Sequence, residues 1–172
     1  MLLTVGHGRL ERAELASLLH GAGVQQVVDV RRFPGSRSNA DVRREAMDVW
    51  LPETGIGYRW EERLGGRRRL EGEPVDTWWR VEQFAAYAAH TRTAEFGAAV
   101  DLLLAAVDDE NVAVMCSESL WWRCHRRQIA DVAVLAHGVP VSHLMHDGRL
   151  TDHRPAAGAR VDVRGQVVWD AV

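Results

Sequence analysis

The chain predicts a three-layer α/β fold around a mostly parallel central sheet. Short apolar, β-branched runs alternate with amphipathic segments along its length, the pattern of strands joined by crossover helices. Polar clusters follow three of the strand-like runs, where open parallel sheets bind their ligands. The 172 residues suit one domain with a single core and leave no room for a large second one.

Residues 2–5 read as a first strand. Residues 11–20 place Leu15, Leu18 and Leu19 on one face of a helix, closed by Gly21 and Gly23. Residues 26–30 are a β-branched strand, which completes a βαβ unit. Residues 31–39 contain Pro34 and Gly35 and read as a loop, and residues 41–50 as a helix stopped by Pro52. A short strand is expected at 58–60. Residues 64–76, rich in Gly and Arg, read as a long loop of the kind that is usually functional or disordered. Two helices follow at 81–90 and 93–107, the second capped by Thr93 and facing the core with Phe96, Val100, Leu103 and Leu104. A strand at 112–116, a helix at 126–137 ended by Gly138, a strand at 141–145 and a small hairpin around Arg164-Gly165 complete the order.

No run of eighteen apolar residues occurs and the first residues lack a basic leader pattern, so a cytoplasmic protein without a membrane span is expected. Two cysteines do not make a secreted disulfide framework, which brings thiol or ligand roles forward and leaves a reversible bridge open. The net charge of -3 argues against a general nucleic-acid coat. All 21 basic residues are Arg, so no lysine Schiff base or ammonium base is available. A GC-rich genome explains that bias more simply than function does.

The most informative stretch is 112–127, which holds both cysteines in a strand–loop–helix outline. Thr4-Val5-Gly6-His7-Gly8, Asp29-Val30-Arg31-Arg32-Phe33-Pro34-Gly35-Ser36-Arg37, Leu64-Gly65-Gly66-Arg67-Arg68 and Cys116-x-Glu118-x5-Cys124-His125-Arg126 occur in one order. In these motifs residues 3–147 resemble the domain of unknown function 488 family. The resemblance implies a Rossmann-like α/β domain over residues 1–147, with 148–172 as an extension, and it implies little about a reaction. Gly8 stands where the family commonly has a small hydroxyl residue, and the Trp121-Trp122-Arg123 segment is bulkier than the family's usual look.

Cys116 falls at a strand end and Cys124 near a helix start, where the helix dipole and nearby arginines favour a thiolate able to act as nucleophile or redox group. Alternatively Cys116 is a small buried hydrophobe. Glu118 is placed to act as base or nucleophile, to orient His125, or to cap the helix. His125, near positive potential at the helix start, is expected to be neutral and able to accept a proton or bind metal. Cys-x7-Cys-His lacks the paired short spacing of structural zinc sites, so no metal or other cofactor is expected. The phosphatase pattern Cys-x5-Arg also fails, because Trp122 stands where the Arg is needed and Arg123 falls one place late.

The arginines carry the stronger signal. Arg31, Arg32 and Arg37 flank one strand-end loop, Arg67 to Arg69 lie in the glycine-rich loop, and Arg123, Arg126 and Arg127 flank the cysteine loop. Guanidinium forks bind phosphate or carboxylate, although Glu61, Glu62, Glu71 and Glu73 compete for them. The pairs Trp78-Trp79 and Trp121-Trp122 can stack on a flat ring or close the core. Asp29 can orient His7 or Arg31 as readily as touch a substrate. These features together point to an enzyme for a phosphate-bearing substrate, a nucleotide or nucleic acid. Cys116, Glu118, Cys124 and His125 supply the chemistry, and His7, Asp29, Arg31, Arg37, Arg67 and Arg126 form the binding site. The alternatives are a non-catalytic nucleic-acid-binding module and a metal-dependent or thiol-redox protein. The sequence sets no oligomeric state.

Overall fold

A computed structural model describes residues 1–171. In chain order the main elements are β1 (Leu2–Gly6), α1 (Arg12–Gly21), β2 (Gln26–Asp29), α2 (Arg44–Glu53), β3 (Gly57–Trp60), α3 (Glu82–His90), α4 (Ala94–Asp109), β4 (Val112–Cys116), α5 (Arg126–His137), β5 (Val141–Leu144), β6 (Leu150–Asp152), β7 (Ala159–Val161) and β8 (Val167–Trp169). The central sheet has the order β3-β2-β4-β1-β5-β6, and only β6 runs antiparallel to its neighbour. The first βαβ unit therefore does not pair its own strands. β4 inserts between β1 and β2, with Gly6 opposite Cys116 and Asp29 opposite Met115. Three strand ends that carry polar motifs thus lie side by side.

The alternation of strand side chains decides which of these residues meet. Along β4, Val112, Val114 and Cys116 face the layer of α3, α4 and α5, while Ala113 and Met115 face the opposite core with Leu15, Leu19, Met47 and Leu51. Cys116 consequently points to the side on which the chain returns into α5. That helix is closed by Gly138, whose φ of 66° provides the left-handed residue that ends many helices.

Three local details differ from the sequence reading. Residues Ala40–Val42 form a single 3-10 turn capped by the Asn39 side chain, and α2 begins only at Arg44. Pro52 lies inside the last turn of α2 rather than beyond its end. β6 was not expected, because its three residues are all exposed and carry no alternation. The segment after β5 is closely joined to the rest. β6 extends the sheet, and the β7–β8 hairpin delivers Trp169, wholly buried, against the core beside α5. Among the described residues no helix is long and apolar enough to cross a membrane.

Candidate functional site

The strand ends assemble a compact thiol–imidazole cluster. The Sγ atoms of Cys116 and Cys124 and a ring nitrogen of His125 all lie within 4.8 Å of one another. Both cysteines are free and buried. Cys124 precedes a helix whose N-cap is His125, so the histidine sits one step before the first turn in which the sequence placed it. His125 Nδ1 lies 3.6 Å from Cys124 Sγ, and Nε2–H donates to the Val30 carbonyl at 3.1 Å. The Tyr87 ring packs on the imidazole, with centroids 4.8 Å apart. Gly66 supplies a close approach, since a Cβ there would stand 2.9 Å from Nδ1.

The two thiols are not equivalent. Hydrogen bonding to Cys124, followed by burial, pushes the Cys116 thiol well up. Burial opposes ionisation of Cys124 too, but the Cys116 thiol, His125 and Arg126 outweigh it and hold Cys124 well below the usual thiol range. Of the two, Cys124 is the one whose surroundings favour the thiolate.

Arg126 is almost completely buried and every nitrogen of its guanidinium is engaged. Nε donates to Cys124 Sγ at 3.4 Å, Nη1 to Thr4 Oγ1 at 3.3 Å, and Nη2 to the Glu118 carbonyl. Gly6 leaves room for this, because a Cβ there would overlap that carbonyl. From Thr4 a chain of buried hydrogen bonds continues. Thr4 O–H donates to His143 Nδ1 at 2.7 Å, and His143 Nε2–H donates to His153 Nδ1 at 2.9 Å. His153 Nε2–H donates to Asp131 at 2.7 Å. With Asp131 accepting at its end and both rings neutral, every bond of the chain runs in one direction, from Thr4 to Asp131. Trp169 Nε1 and the Ala156 amide complete the Asp131 carboxylate. Burial, then His153 and Arg126, hold His143 at a pKa of about 3. Trp121 stacks flat on His143 at 4.0 Å and 6°, so the bulky segment before Cys124 serves packing at this position.

Arg31 is buried as well. It grips Asp29 with two hydrogen bonds of 2.8 and 2.5 Å, and Tyr58 donates to the same carboxylate at 2.7 Å. Burial and Asp29 push the Tyr58 hydroxyl far up, so it stays protonated. His7 Nε2 faces Arg31 at 3.3 Å, and burial followed by Arg31 lowers its pKa to about 4. Asp29 thus orients Arg31 rather than facing a ligand. His7 opens on a neighbouring groove with Gly8, Ser36 and Asn39.

The cluster forms part of the lining of a cleft of about 340 Å³, together with Arg31, Arg32, Arg67, Arg123, Phe33, Phe84, Tyr87 and Glu118. Among the described residues no carboxylate pairs with Arg32, Arg67 or Arg123, although Arg59 and Arg63 are both held by Glu61. Phe33 is 64% exposed and lies beneath the guanidinium groups of Arg32 and Arg67. Glu118 is exposed, and its Oε1 accepts the Leu120 amide at 3.2 Å. Arg37 is exposed on its loop and does not line this cleft, and Arg127 instead covers Trp78 and Trp79. Thr4, Tyr58, Tyr87, Asp131, His143 and His153 escaped the sequence reading. The Cys-x-Glu-x5-Cys-His-Arg motif signals only the loop they support.

Residues 11–133 match the family described as domain of unknown function DUF488. The chain belongs to this family. The matched span includes Asp29, Arg31, Cys116, Glu118, Cys124, His125 and Arg126, and it ends before His143 and His153. No curated protein and no solved structure matches the chain.

Proposed function

We propose that this DUF488 protein is an enzyme acting on a phosphate-bearing substrate with a flat ring, a nucleotide or a nucleic-acid end, in the arginine-rimmed cleft. The observation that carries this reading is the convergence, in one opening, of the Cys116–Cys124–His125 cluster with Arg32, Arg67 and Arg123. Guanidinium groups free of carboxylates are available to bind phosphate. The exposed Phe33 and the half-buried Phe84 offer apolar faces to a ring. The cleft volume is at the lower end of small-molecule sites, which span roughly 300–1,000 Å³, and it suits one nucleotide unit rather than a duplex. Cys124 is the electron-rich centre at its wall, and the exposed Glu118 carboxylate is the group able to exchange a proton there. Arg31 and Arg126 act by positioning.

A binding-only module is the second reading. It is favoured by a larger groove that shares Arg32, Phe33 and Arg67 with the cleft and continues past Arg68 and Arg69. Alkylation of Cys116 and Cys124 followed residue by residue across pH, with and without phosphate and nucleotides, tests the proposal. Reaction of Cys124 below about pH 7 with protection by nucleotide is the expected result for a low-pKa thiol in a ligand cleft. Thiols indifferent to every anion would sink it. Protection with a steep salt dependence and no substrate turnover would favour the binding module.

A further inference from the structure

The geometry points to a site for one divalent transition-metal ion of the zinc class, held by Cys116 Sγ, Cys124 Sγ and His125 Nδ1, with its fourth position open to the cleft. The site stands on side-chain geometry alone. Its use in catalysis rests on the function proposed above.

Ligand bonds of about 2.3 Å to sulfur and about 2.0–2.1 Å to nitrogen place neighbouring tetrahedral ligands roughly 3.5 Å apart for S and N and roughly 3.8 Å for two S atoms. The observed Cys124 Sγ to His125 Nδ1 separation is 3.6 Å, and no two ligand atoms of the set are more than 4.8 Å apart. The protonation pattern of the imidazole agrees. The Val30 carbonyl can only accept, so Nε2 carries the hydrogen, and Nδ1 is the ring nitrogen that faces the thiols and would coordinate the ion once free of a proton. Metal-bound histidines are typically held this way, with the second nitrogen donating to a carbonyl or carboxylate.

The support is rigid on three sides. Cys116 ends a central strand paired on both flanks, Tyr87 and Gly66 clamp the imidazole, and Arg126 fixes Cys124 from beneath. Two thiolates and an imidazole select a soft or borderline ion over magnesium or calcium. The short paired spacing of zinc knuckles is absent because the site closes across a strand-to-helix return, where period-two alternation aims Cys116 at the start of α5. Binding displaces the remaining thiol protons to solvent. Three protein ligands and an open position mark catalytic rather than structural zinc sites. A water in that position is the hydroxide source near neutral pH, and Glu118 lines the same cleft as its proton acceptor.

Titrating the reduced, anaerobically purified full chain with Co²⁺, and then displacing it with Zn²⁺, tests the inference. The expected result is one equivalent bound, with a thiolate-to-cobalt charge-transfer band and tetrahedral d–d bands that zinc abolishes. Cys116→Ser, Cys124→Ser and His125→Gln each weaken binding by about 100-fold or more, beyond the 10–100-fold typical of outer-shell partners. Glu118→Gln keeps the bands. A wild-type chain without a charge-transfer band, or binding that survives loss of both thiols, overturns the metal site, and the wild-type arm needs no variant to fold. Nucleotide protection of the thiols in a chain that binds no metal would overturn this inference while sparing the function. One tightly bound metal with no anion binding would do the reverse.

Discussion

Arg31 and Arg126 are buried with every nitrogen engaged, whereas Arg32, Arg67 and Arg123 stand at the cleft with no carboxylate paired to them among the described residues. The first pair shares motifs with the second group, and Arg31 even adjoins Arg32 in sequence. Taking a cation out of water is costly unless its partners are well placed. The buried pair therefore fastens the strand ends together, and the exposed Arg67 and Arg123 with the half-buried Arg32 hold positive potential where an anion can reach it. The contrast shows that arginine in a strand-end loop has two separate roles here, decided by burial.

The sharpest way to break the contrast is Arg31→Met, which strands the wholly buried Asp29. Loss of one partner of a buried pair costs about 3–5 kcal/mol, so the urea midpoint should fall steeply. An unchanged midpoint would remove Arg31 from the fasteners. Acid probes the buried histidines near both arginines, with an effect per histidine of similar size. His7 and His143 titrate at about 4 and about 3 in the folded protein, against about 6.5 in an unfolded chain. Between those values only the unfolded chain takes up the proton. Stability is full above about pH 6.5 and falls as the pH drops towards 4, and further to 3 for His143. The loss is on the order of 3 kcal/mol for His7 alone, at about 1.4 kcal/mol per tenfold change in proton affinity. Denaturation at pH 7, 5.5 and 4.5 measures it, and a flat profile would contradict the neutral, buried assignment.

Asp131→Asn comes next. It weakens the terminal acceptor of the chain running through His153, at about 1–3 kcal/mol for an imperfectly satisfied buried group. It should also raise the pH at which Cys124 is alkylated, a shift that loss of packing alone would not cause. The smallest effect on stability belongs to Arg67→Ala and Arg123→Ala, within about 0.5 kcal/mol as for most surface changes. Each should nevertheless weaken phosphate or nucleotide binding about 5- to 10-fold and flatten its salt dependence, because a direct cation contact is lost. Equal affinity in isothermal titration would place the anion elsewhere.

Much of the fold was legible because long amphipathic helices and apolar strands report their own periods. The order of strands was not. Nothing in the spacing of β1 and β2 says that β4 inserts between them, since that placement is settled by packing of residues about 85 positions further along. β6 escaped because three exposed residues give no pattern. The cysteine motif was legible as a cluster, and Cys116, Cys124 and His125 do converge. The roles of Arg31 and Arg126 were not, because an inward and an outward arginine are written with the same letter. Arg37 shows the opposite error, a charge in the right motif that lies outside the cleft. His143 on β5, Asp131 on α5 and His153 just after β6 meet only after the sheet and α5 have packed.

The chain of hydrogen bonds from Arg126 to Asp131 also sets a timetable. It passes through Thr4 on β1, and it is completed by His153 and Trp169, which are made after Arg126, Asp131 and His143. Until those two arrive, Asp131 and His143 lack these partners, although Cys124, Thr4 and Glu118 already hold Arg126. A nascent chain can therefore form most of its sheet before the buried chain of hydrogen bonds beside the cleft is closed.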